Sequence, residues 1–328
     1  MIRHLLIFRT ETTDPYYNLA LEEYLLNTVD QESCILYLWQ NRHTVVIGRN
    51  QNPWQECRTG QLEEDGGFLA RRLSGGGAVY HDMGNLNFTF LVRKENYDLS
   101  RQLSVIARAC QALGIPAEIS GRNDITAQGR KFSGNAFYEH EGRCYHHGTL
   151  LINVDMAQLG RYLSPSPAKL KAKGVSSVRS RVVNLRELRP DLTILEMARQ
   201  MEQAFSQVYG LPAERIDGSA LDAGAIETLR QNYASWDWLY GRKLPFTFQC
   251  AGKFPWGEIT IQLAAEGGIV REAAVYTDAM GVGFVPLLEA ALTGCLFRGT
   301  ELCQAVGSIP WDEAVRRDIQ SLLMEQDV

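Results

Sequence analysis

The sequence predicts an α+β fold: a large domain with mixed or mostly antiparallel sheets and flanking helices, followed by a small C-terminal α/β domain. Within the first 245 residues, apolar segments of strand length outnumber the helical patterns, which excludes a regular alternation of strands and helices. The 328 residues, 45% of them hydrophobic, are enough for two domains. Because residues 241–245 have the Gly and Pro content of a linker, we predict domains at 1–245 and 246–328.

The first elements are a helix and a hairpin. Asp14 is a typical N-cap and Pro15 is favoured at the first helical position, so a helix is predicted from there to about residue 26. Residues 35–39 and 44–48 are short and rich in aromatic and β-branched side chains, which predicts two strands. The polar residues 41–43 between them suit a turn.

The next elements surround a glycine-rich segment. Pro53 predicts the start of a helix that runs to about residue 65. Residues 68–72 and 86–92 have strand patterns, and the second alternates apolar and polar side chains. We therefore expect these two strands to flank the glycine-rich turn.

The remaining elements follow from periodicity. Apolar residues recur at helical spacing twice, and paired strand patterns meet at the turn Glu266-Gly267-Gly268 before helical patterns end the chain. The predicted elements are helices at 98–113 and 194–209 and strands at 136–138, 149–154, 258–263 and 269–276.

Charge and composition exclude several classes of protein. The net charge is −5, and the first 245 residues are nearly neutral, so a nucleic-acid binder is not expected. Apolar runs are shorter than the ~20 residues of a membrane span, and the first residues do not form a signal peptide. Seven cysteines without a Cys-x-x-Cys pair fit a reducing compartment. We expect a cytoplasmic protein.

The clearest motif is the segment Arg71 to Asp82, with sequence RRLSGGGAVYHD. Three successive glycines let a ligand approach the main chain, whose N–H groups can form a nest for phosphate or carboxylate oxygens. A plain turn between strands is the alternative. The segment lacks the Gly-Lys-Ser/Thr end of a P-loop, and Tyr80 stands where a dinucleotide fingerprint needs its third glycine.

A second motif comprises Gly121 to Asp124 and Gly129 to Ala136. Asp124 in a polar turn is a candidate Mg²⁺ ligand, and Lys131 offers a compact charge to a carboxylate or phosphate. The alternatives are an Asx-turn for Asp124 and a solvated lysine in a hairpin.

A third motif, His146-His147-Gly148, lies in a strand pattern. Neighbouring strand residues point to opposite faces, so the two histidines cannot bind one metal ion. A fourth segment, residues 161–190, breaks the regular pattern and carries seven basic side chains between 169 and 189 against the single acid Glu187. Such a run is either a solvated loop or an anion-binding loop.

These motifs, in this order, resemble the lipoate-protein ligase A family. The resemblance rests on RRLSGGGAVYHD, on Lys131 to Ala136 (KFSGNA), on residues 146–151 (HHGTLL), and on residues 173–182 (KGVSSVRSRV). It extends nearly end to end, because residues 236–238, 254–257 and 294–297 look like the small accessory domain of that family.

The resemblance implies a two-step ligation. Lipoate and MgATP form enzyme-bound lipoyl-AMP and pyrophosphate, and the lysine amine of an acceptor domain then attacks the mixed anhydride. Lys131 would be the catalytic residue, and Asp124 would hold Mg²⁺. The implied lipoate-binding residues are Arg71, Arg72, Ser74, Gly75, Gly76, Gly77, Lys131, His147 and Gly148. The implied ATP- and adenylate-binding residues are Arg71, Gly76, Gly77, Ala78, Val79, Asn123, Asp124, Lys131, Ser133, Gly134, Lys173, Gly174, Val175 and Ser177.

The residue chemistry agrees with that reaction. Attack of a carboxylate on a phosphate brings two anions together, which requires fixed cations and N–H dipoles. An apolar tunnel for the acyl chain is expected along Leu73, Val79 and Phe88. The base that deprotonates the acceptor lysine stays open among His81, His147 and Asp124.

The resemblance also implies partners. They are the lipoyl domains of 2-oxoacid dehydrogenase E2 subunits and the glycine cleavage H protein, with lipoate or octanoate as the small molecule. The basic segment is expected to bind AMP and an acidic acceptor, and we expect a monomer.

Three rival functions differ in testable features. An ATP-independent octanoyl or lipoyl transferase needs a catalytic cysteine, and Cys144 is the thiol nearest the motifs. A biotin-protein ligase is disfavoured because its Gly-Arg-Gly-Arg-x-Gly-Arg loop is absent. A catalytically silent binder of lipoylated proteins would be expected to lack Lys131 or the glycines.

Overall fold

The computed structural model describes residues 1–120, 124–163, 182–241 and 246–326. The chain forms two compact units. The first consists of Met1–Val46, Trp54–Ala70 and Val79–Ser235, and the second of Ile47–Pro53, Arg71–Ala78 and Trp236–Val328. The glycine-rich segment therefore belongs to the second unit, although strands of the first unit flank it in the chain.

The described strands are β1 (His4–Arg9), β2 (Ser33–Trp39), β3 (Thr44–Ile47), β4 (Phe68–Arg71), β5 (Val79–His81), β6 (Asn85–Arg93), β7 (Glu118–Ser120), β8 (Asp124–Ala127), β9 (Arg130–His140), β10 (Arg143–Leu151), β11 (Ala213–Arg215), β12 (Phe248–Phe254), β13 (Gly257–Glu266) and β14 (Ile269–Thr277).

The described α-helices are α1 (Pro15–Thr28), α2 (Pro53–Glu56), α3 (Thr59–Glu64), α4 (Leu99–Ala112), α5 (Met156–Tyr162), α6 (Ile194–Tyr209), α7 (Ala223–Ala234), α8 (Trp236–Tyr240), α9 (Phe284–Leu292), α10 (Gly299–Ser308) and α11 (Glu313–Met324).

The first unit is built on a sheet that has eight strands in the described part of the chain, in the order β11-β1-β2-β6-β10-β9-β8-β7. Strand β1 pairs in parallel with β2 and with β11, and the other described pairs are antiparallel. The predicted α+β class with a mixed, mostly antiparallel sheet is therefore confirmed.

The two faces of this sheet differ in polarity. On one face, Phe88 and Phe90 of β6 join a large apolar cluster with Ile106 of α4 and Phe205 of α6. On the other face, α1 lies against β2, β6 and β10, and the buried side chains there include Asn87, Thr89 and His147. This second face is called the polar face below.

A small sheet carries the glycine-rich segment. Its strands are ordered β4-β3-β5 in the described residues, and β3 pairs with β5 from Thr44 opposite His81 to Val46 opposite Val79. The strands predicted at residues 68–72 and 86–92 are present as β4 and β6, but the unpredicted strand β5 comes between the glycine-rich segment and β6, and β6 belongs to the large sheet. Strand β5 has three residues, too few for a clear pattern.

The helix predicted from Pro53 to about residue 65 is interrupted. It forms α2 and α3, and between them Cys57 makes a β-bridge with Leu163. The main-chain N–H of Arg58 donates to the carbonyl of Tyr162 at 2.9 Å. The segment at residues 162–163 therefore bonds main-chain groups that would form internal hydrogen bonds in a continuous helix.

The second unit has its own core. Strands β12, β13 and β14 form an antiparallel sheet, and apolar side chains of β13 and β14 pack with those of α9, α10 and α11. The hairpin at residues 266–268 is present as predicted, with both Gly267 and Gly268 at positive φ. Strand β12 was not predicted, because only Cys250 of its seven residues is buried.

Candidate functional site

The glycine-rich loop, residues 71–78, is held by its own arginine. Arg72 is buried, and its Nε donates to Ser74 Oγ at 3.0 Å. Its Nη2 donates to the carbonyls of Gly75 and Gly77 at 2.7 and 2.8 Å. These bonds satisfy the guanidinium inside the loop and fix the curve of the main chain.

Two of the three glycines of the loop are required by the structure, Gly75 by a close approach and Gly76 by its backbone conformation. A Cβ at Gly75 would lie 2.1 Å from the carbonyl oxygen of Ala279. Gly76 has φ +89°, and its N–H donates to the same oxygen at 3.2 Å. Gly77 is exposed, and a Cβ there would meet nothing within 4 Å. Of the three glycines, Gly77 therefore presents the most open main chain to a ligand.

Lys131 lies on the polar face. A Cβ built at Gly134 would be 2.9 Å from Lys131 Nζ and 3.9 Å from Thr149 Oγ1, so the end of the lysine side chain lies over Gly134, on the same face as Thr149. The main chain of Lys131 is fixed by a parallel bridge to Val182, with the N–H of Val183 donating to its carbonyl at 2.9 Å. This places a cation over a position without a side chain.

A buried carboxylate lies on the same face. Glu22 of α1 is 2% exposed, and its Oε1 accepts from Thr89 Oγ1 at 2.6 Å and from His147 Nδ1 at 2.9 Å. Trp39 Nε1 in turn donates to Thr89 Oγ1 at 3.1 Å. His147 therefore carries its proton on Nδ1 in this arrangement.

Glu22 was missed by the sequence analysis. The available signal was the spacing of Asn18 and Glu22, one helical turn apart among the apolar residues of α1. Asn18 is buried as well, and it bonds the carbonyl of Gln40 at 2.8 Å and Asn41 Oδ1 at 2.9 Å. Two buried polar groups on the inner face of a helix indicate a polar environment beneath it.

Two asparagine side chains lie next to His81. Its Nδ1 lies 3.3 Å from Asn41 Nδ2 and 3.5 Å from Asn87 Nδ2. Amide nitrogens are donors, so Nδ1 accepts and the ring proton lies on Nε2. His81 is thereby suited to donate a hydrogen bond, which makes it a poor candidate for the base that takes the acceptor proton.

The two adjacent histidines point to opposite faces, as predicted. His146 lies in the core, with Nδ1 3.1 Å from Gln102 Oε1 and Nε2 2.9 Å from Asn135 Oδ1. Burial lowers the pKa of His146 to about 3. His146 is therefore neutral at physiological pH and belongs to the core rather than to the polar face.

Cys144 does not have the properties of a nucleophile. The thiol is 4% exposed, and burial, followed by the charge of Glu139, raises its pKa to about 11. A catalytic cysteine requires a low pKa and access to substrate. The structure therefore disfavours the cysteine-dependent transferase.

Other predicted site residues have the following positions. Ser133 is buried on β9 beside Phe132, and its Oγ has no partner among the described residues. Phe88, expected to line an apolar tunnel, instead packs in the core against Phe90 and His146. Asn123, Lys173, Gly174, Val175 and Ser177 lie outside the described residues, as does the side chain of Asp124.

In the described part of the chain, no group of three or more His, Cys, Asp or Glu side chains is suited to hold a metal ion. The Mg²⁺ expectation therefore still depends on Asp124. None of the described helices is long and apolar enough to cross a bilayer.

Two family models match the chain. Residues 14–206 match the lipoyl protein ligase A/B catalytic domain, and residues 243–323 match the bacterial lipoate protein ligase C-terminus. A lipoate-protein ligase A from Psychrobacter cryohalolentis is 43% identical over 294 residues, which cover 87% of each chain.

Solved structures have the same fold. A crystal structure of P. falciparum LipL1 in complex with lipoate is 26% identical and has a TM-score of 0.85, covering 98% of this chain and 99% of the other. A crystal structure of lipoate-protein ligase A bound with ATP is 25% identical with a TM-score of 0.60, covering 73% of this chain and 98% of the other.

Proposed function

This chain belongs to the lipoate-protein ligase A family, and from that premise we propose how its residues carry out the reaction. The protein is an ATP-dependent ligase that activates lipoate as lipoyl-AMP and transfers the lipoyl group to a lysine of an acceptor lipoyl domain. The observation that carries the assignment of its chemistry is the position of Lys131, the lysine of the family motif, on the polar face over Gly134.

The first step joins two anions. A carboxylate oxygen of lipoate attacks the α-phosphorus of ATP, a new P–O bond forms, and the bond to pyrophosphate breaks. Lys131 supplies a positive charge that offsets the charge gathering on the acyl and phosphate oxygens. Because Gly134 has no side chain, the ammonium can lie close to the strand.

In the second step the acceptor amine attacks the acyl carbon, and AMP leaves. The amine loses one proton to solvent or to a base. His81 is unsuited to be that base, since its Nδ1 already accepts from two amides. We propose that the glycine-rich loop binds lipoate and that its open main chain at Gly77 and Ala78 meets the nucleotide.

Several finer assignments are proposals of the same kind. ATP is used with Mg²⁺, for which Asp124 is the proposed ligand, and octanoate is an alternative to lipoate. The acceptors include E2 lipoyl domains and the glycine cleavage H protein. Residues 1–245 act as the catalytic domain and 246–328 as the accessory domain, in a cytoplasmic monomer.

The roles of Lys131 and Cys144 can be tested together. The purified protein is mixed with ATP, Mg²⁺ and lipoate in the absence of acceptor, and pyrophosphate and lipoyl-AMP are measured. Lys131→Met should lower the rate about 10²–10³-fold, because the loss of one preorganised donor to the developing charge typically costs that much. Cys144→Ala should leave the rate within about two-fold of wild type.

The matched control is Lys94→Met, which removes a lysine that pairs with Glu139 on the surface. Its rate should equal that of wild type, since exposed ion pairs contribute little. A wild-type protein that releases no pyrophosphate but transfers octanoyl groups from a carrier, and loses this in Cys144→Ala, would show the transferase instead. Full adenylation activity in Lys131→Met would overturn the proposed role of Lys131, but not the ligase function.

A further inference from the structure

The side chain of Arg71 is enclosed by main-chain carbonyls. Arg71 is 2% exposed. Its Nε donates to Trp238 O at 2.9 Å, and its Nη2 donates to Leu239 O at 2.7 Å. Its Nη1 donates to Arg49 O and Gln51 O at 2.9 and 2.7 Å. The planar guanidinium has five N–H donors, and these bonds engage each of its three nitrogens.

Trp238 returns a bond to the same residue. Its Nε1 donates to the main-chain carbonyl of Arg71 at 2.9 Å. The guanidinium of Arg49 lies 4.2 Å above the Trp238 ring, which adds a cation–π contact. Arg71 is therefore fixed at its side chain and at its main chain, immediately before the loop begins to turn.

The next residue continues this arrangement. Arg72 bonds to Ser74, Gly75 and Gly77 within the loop, while the N–H of Arg72 donates to Ile47 O at 3.1 Å. Arg71 thus attaches the start of the loop to residues 48–51 and 238–239, and Arg72 fixes the curve of the loop main chain. Burial of a guanidinium is compatible with stability only while such bonds are kept.

We propose that Arg71 is a positioning residue that acts on the ligand through the geometry of the glycine-rich loop, with Trp238 as its partner, rather than by contact with the anion. This inference rests on the proposed function, in which the loop binds lipoate. In this proposal the two arginines of the motif have different tasks, and neither forms an ion pair with the substrate. It also makes Trp238 of helix α8, through its bonds to Arg71, a part of the binding apparatus.

Two substitutions test the proposal by steady-state adenylation. Trp238→Phe keeps the ring and removes the donor to Arg71 O, so the lipoate KM should rise about five-fold, the effect of one hydrogen bond. Arg71→Lys keeps the charge but loses the planar set of N–H donors, so the lipoate KM should rise at least about 30-fold. In both variants kcat should change less than KM, because the loop binds its ligand less well while Lys131 is untouched.

The matched control is Trp236→Phe, two residues away on the same helix, where the side chain is 60% exposed. Its KM and kcat should equal those of wild type. If Arg71→Lys loses activity while Trp238→Phe behaves as wild type, Arg71 contacts the ligand directly and the proposal is overturned. A fall in kcat with unchanged KM in both variants would show a purely structural role and would overturn it as well.

A measurement without turnover separates this inference from the proposed function. Brief digestion with trypsin, mapped by mass spectrometry, reports cleavage after Arg71 and Arg72. Trp238→Phe should increase cleavage at these two positions several-fold relative to Trp236→Phe, since both arginines remain but the loop is released. Equal cleavage in the two variants overturns the anchoring by Trp238. A wild-type protein without pyrophosphate release refutes the function, whatever the cleavage pattern.

Discussion

His146 and His147 are neighbours in strand β10, yet they lie in opposite environments. His146 sits in the core between Gln102 and Asn135, with Phe88 and Phe90 around its ring. His147 lies on the polar face, bound to the carboxylate of Glu22. The comparison shows that the face of the sheet, and not the residue type, decides whether a histidine of the motif lies in the apolar core or in a polar network.

Two glycines of the motifs repeat this difference. A Cβ at Gly134 would meet the end of the Lys131 side chain, 2.9 Å from Nζ and 3.0 Å from Cε. A Cβ at Gly148 would meet the Gly134 carbonyl and the Phe88 ring, both at 2.7 Å. The end of the Lys131 side chain is flexible, whereas the Gly134 carbonyl and the Phe88 ring are rigid. The same substitution should therefore affect activity on one face and folding on the other.

Of the substitutions that compare the two faces, Gly134→Ala should have the largest effect. The new methyl displaces the Lys131 ammonium by a few tenths of an ångström or into another rotamer, which is cheap for the fold but moves the proposed catalytic charge. Adenylation should fall about 10²-fold in kcat/KM. The free energy of unfolding, measured in urea, should change by less than about 1 kcal/mol.

A suitable control is Gly60→Ala in α3, where a Cβ meets nothing within 4 Å. That variant should retain wild-type kinetics and be slightly more stable, because Ala favours a helix over Gly. If Gly134→Ala retained full adenylation, the space over Gly134 would not matter for catalysis. Loss of folding in Gly134→Ala would contradict the distinction between the two glycines.

A smaller effect, on stability, is expected for Gly148→Ala. The methyl would overlap the Gly134 carbonyl, Phe88 Cζ and Asn135 Oδ1, and a packed core does not accommodate an added group without backbone movement. Overpacking of this kind costs about 1–3 kcal/mol. The urea midpoint should drop accordingly. An unchanged midpoint would mean that the β9–β10 pair yields more easily than its contacts indicate.

The sequence was sufficient where a local pattern determines the structure. Helix α6 was predicted at 194–209, which is where it lies, because its apolar residues recur at helical spacing. The hairpin between β13 and β14 followed from a Gly-Gly turn. The roles of Lys131 and of the glycine-rich loop were predicted from their motifs and stay predictions.

Contacts between residues that are far apart in the sequence could not be predicted from the sequence. Arg71 was assigned to a ligand by its motif, but its donors meet carbonyls as far away in sequence as Trp238 and Leu239. Glu22 looked like an ordinary helix residue until the sheet brought Thr89 and His147 to it. Buried polar networks are chosen by tertiary packing, and a motif reports which residues matter rather than what they touch.

The smallest expected effect concerns pH and the core histidine. Burial lowers the pKa of His146 from 6.5 to about 3, so between these values the unfolded chain binds a proton that the folded chain does not. Stability from this group is complete above pH 6.5 and is lost as the pH falls towards 3, with a slope of at most about 1.4 kcal/mol per pH unit.

His146→Gln removes this titration while keeping polar atoms near Gln102 and Asn135. The neutral ring fits these neighbours, because one rotated amide lets Gln102 donate to Nδ1 while Nε2 donates to Asn135. The buried Gln102 Nε2, which has no partner among the described residues, agrees with that rotation. Between pH 7 and pH 5 the unfolding free energy of wild type should therefore fall more steeply than that of His146→Gln. Parallel curves would mean that His146 protonates within the folded core.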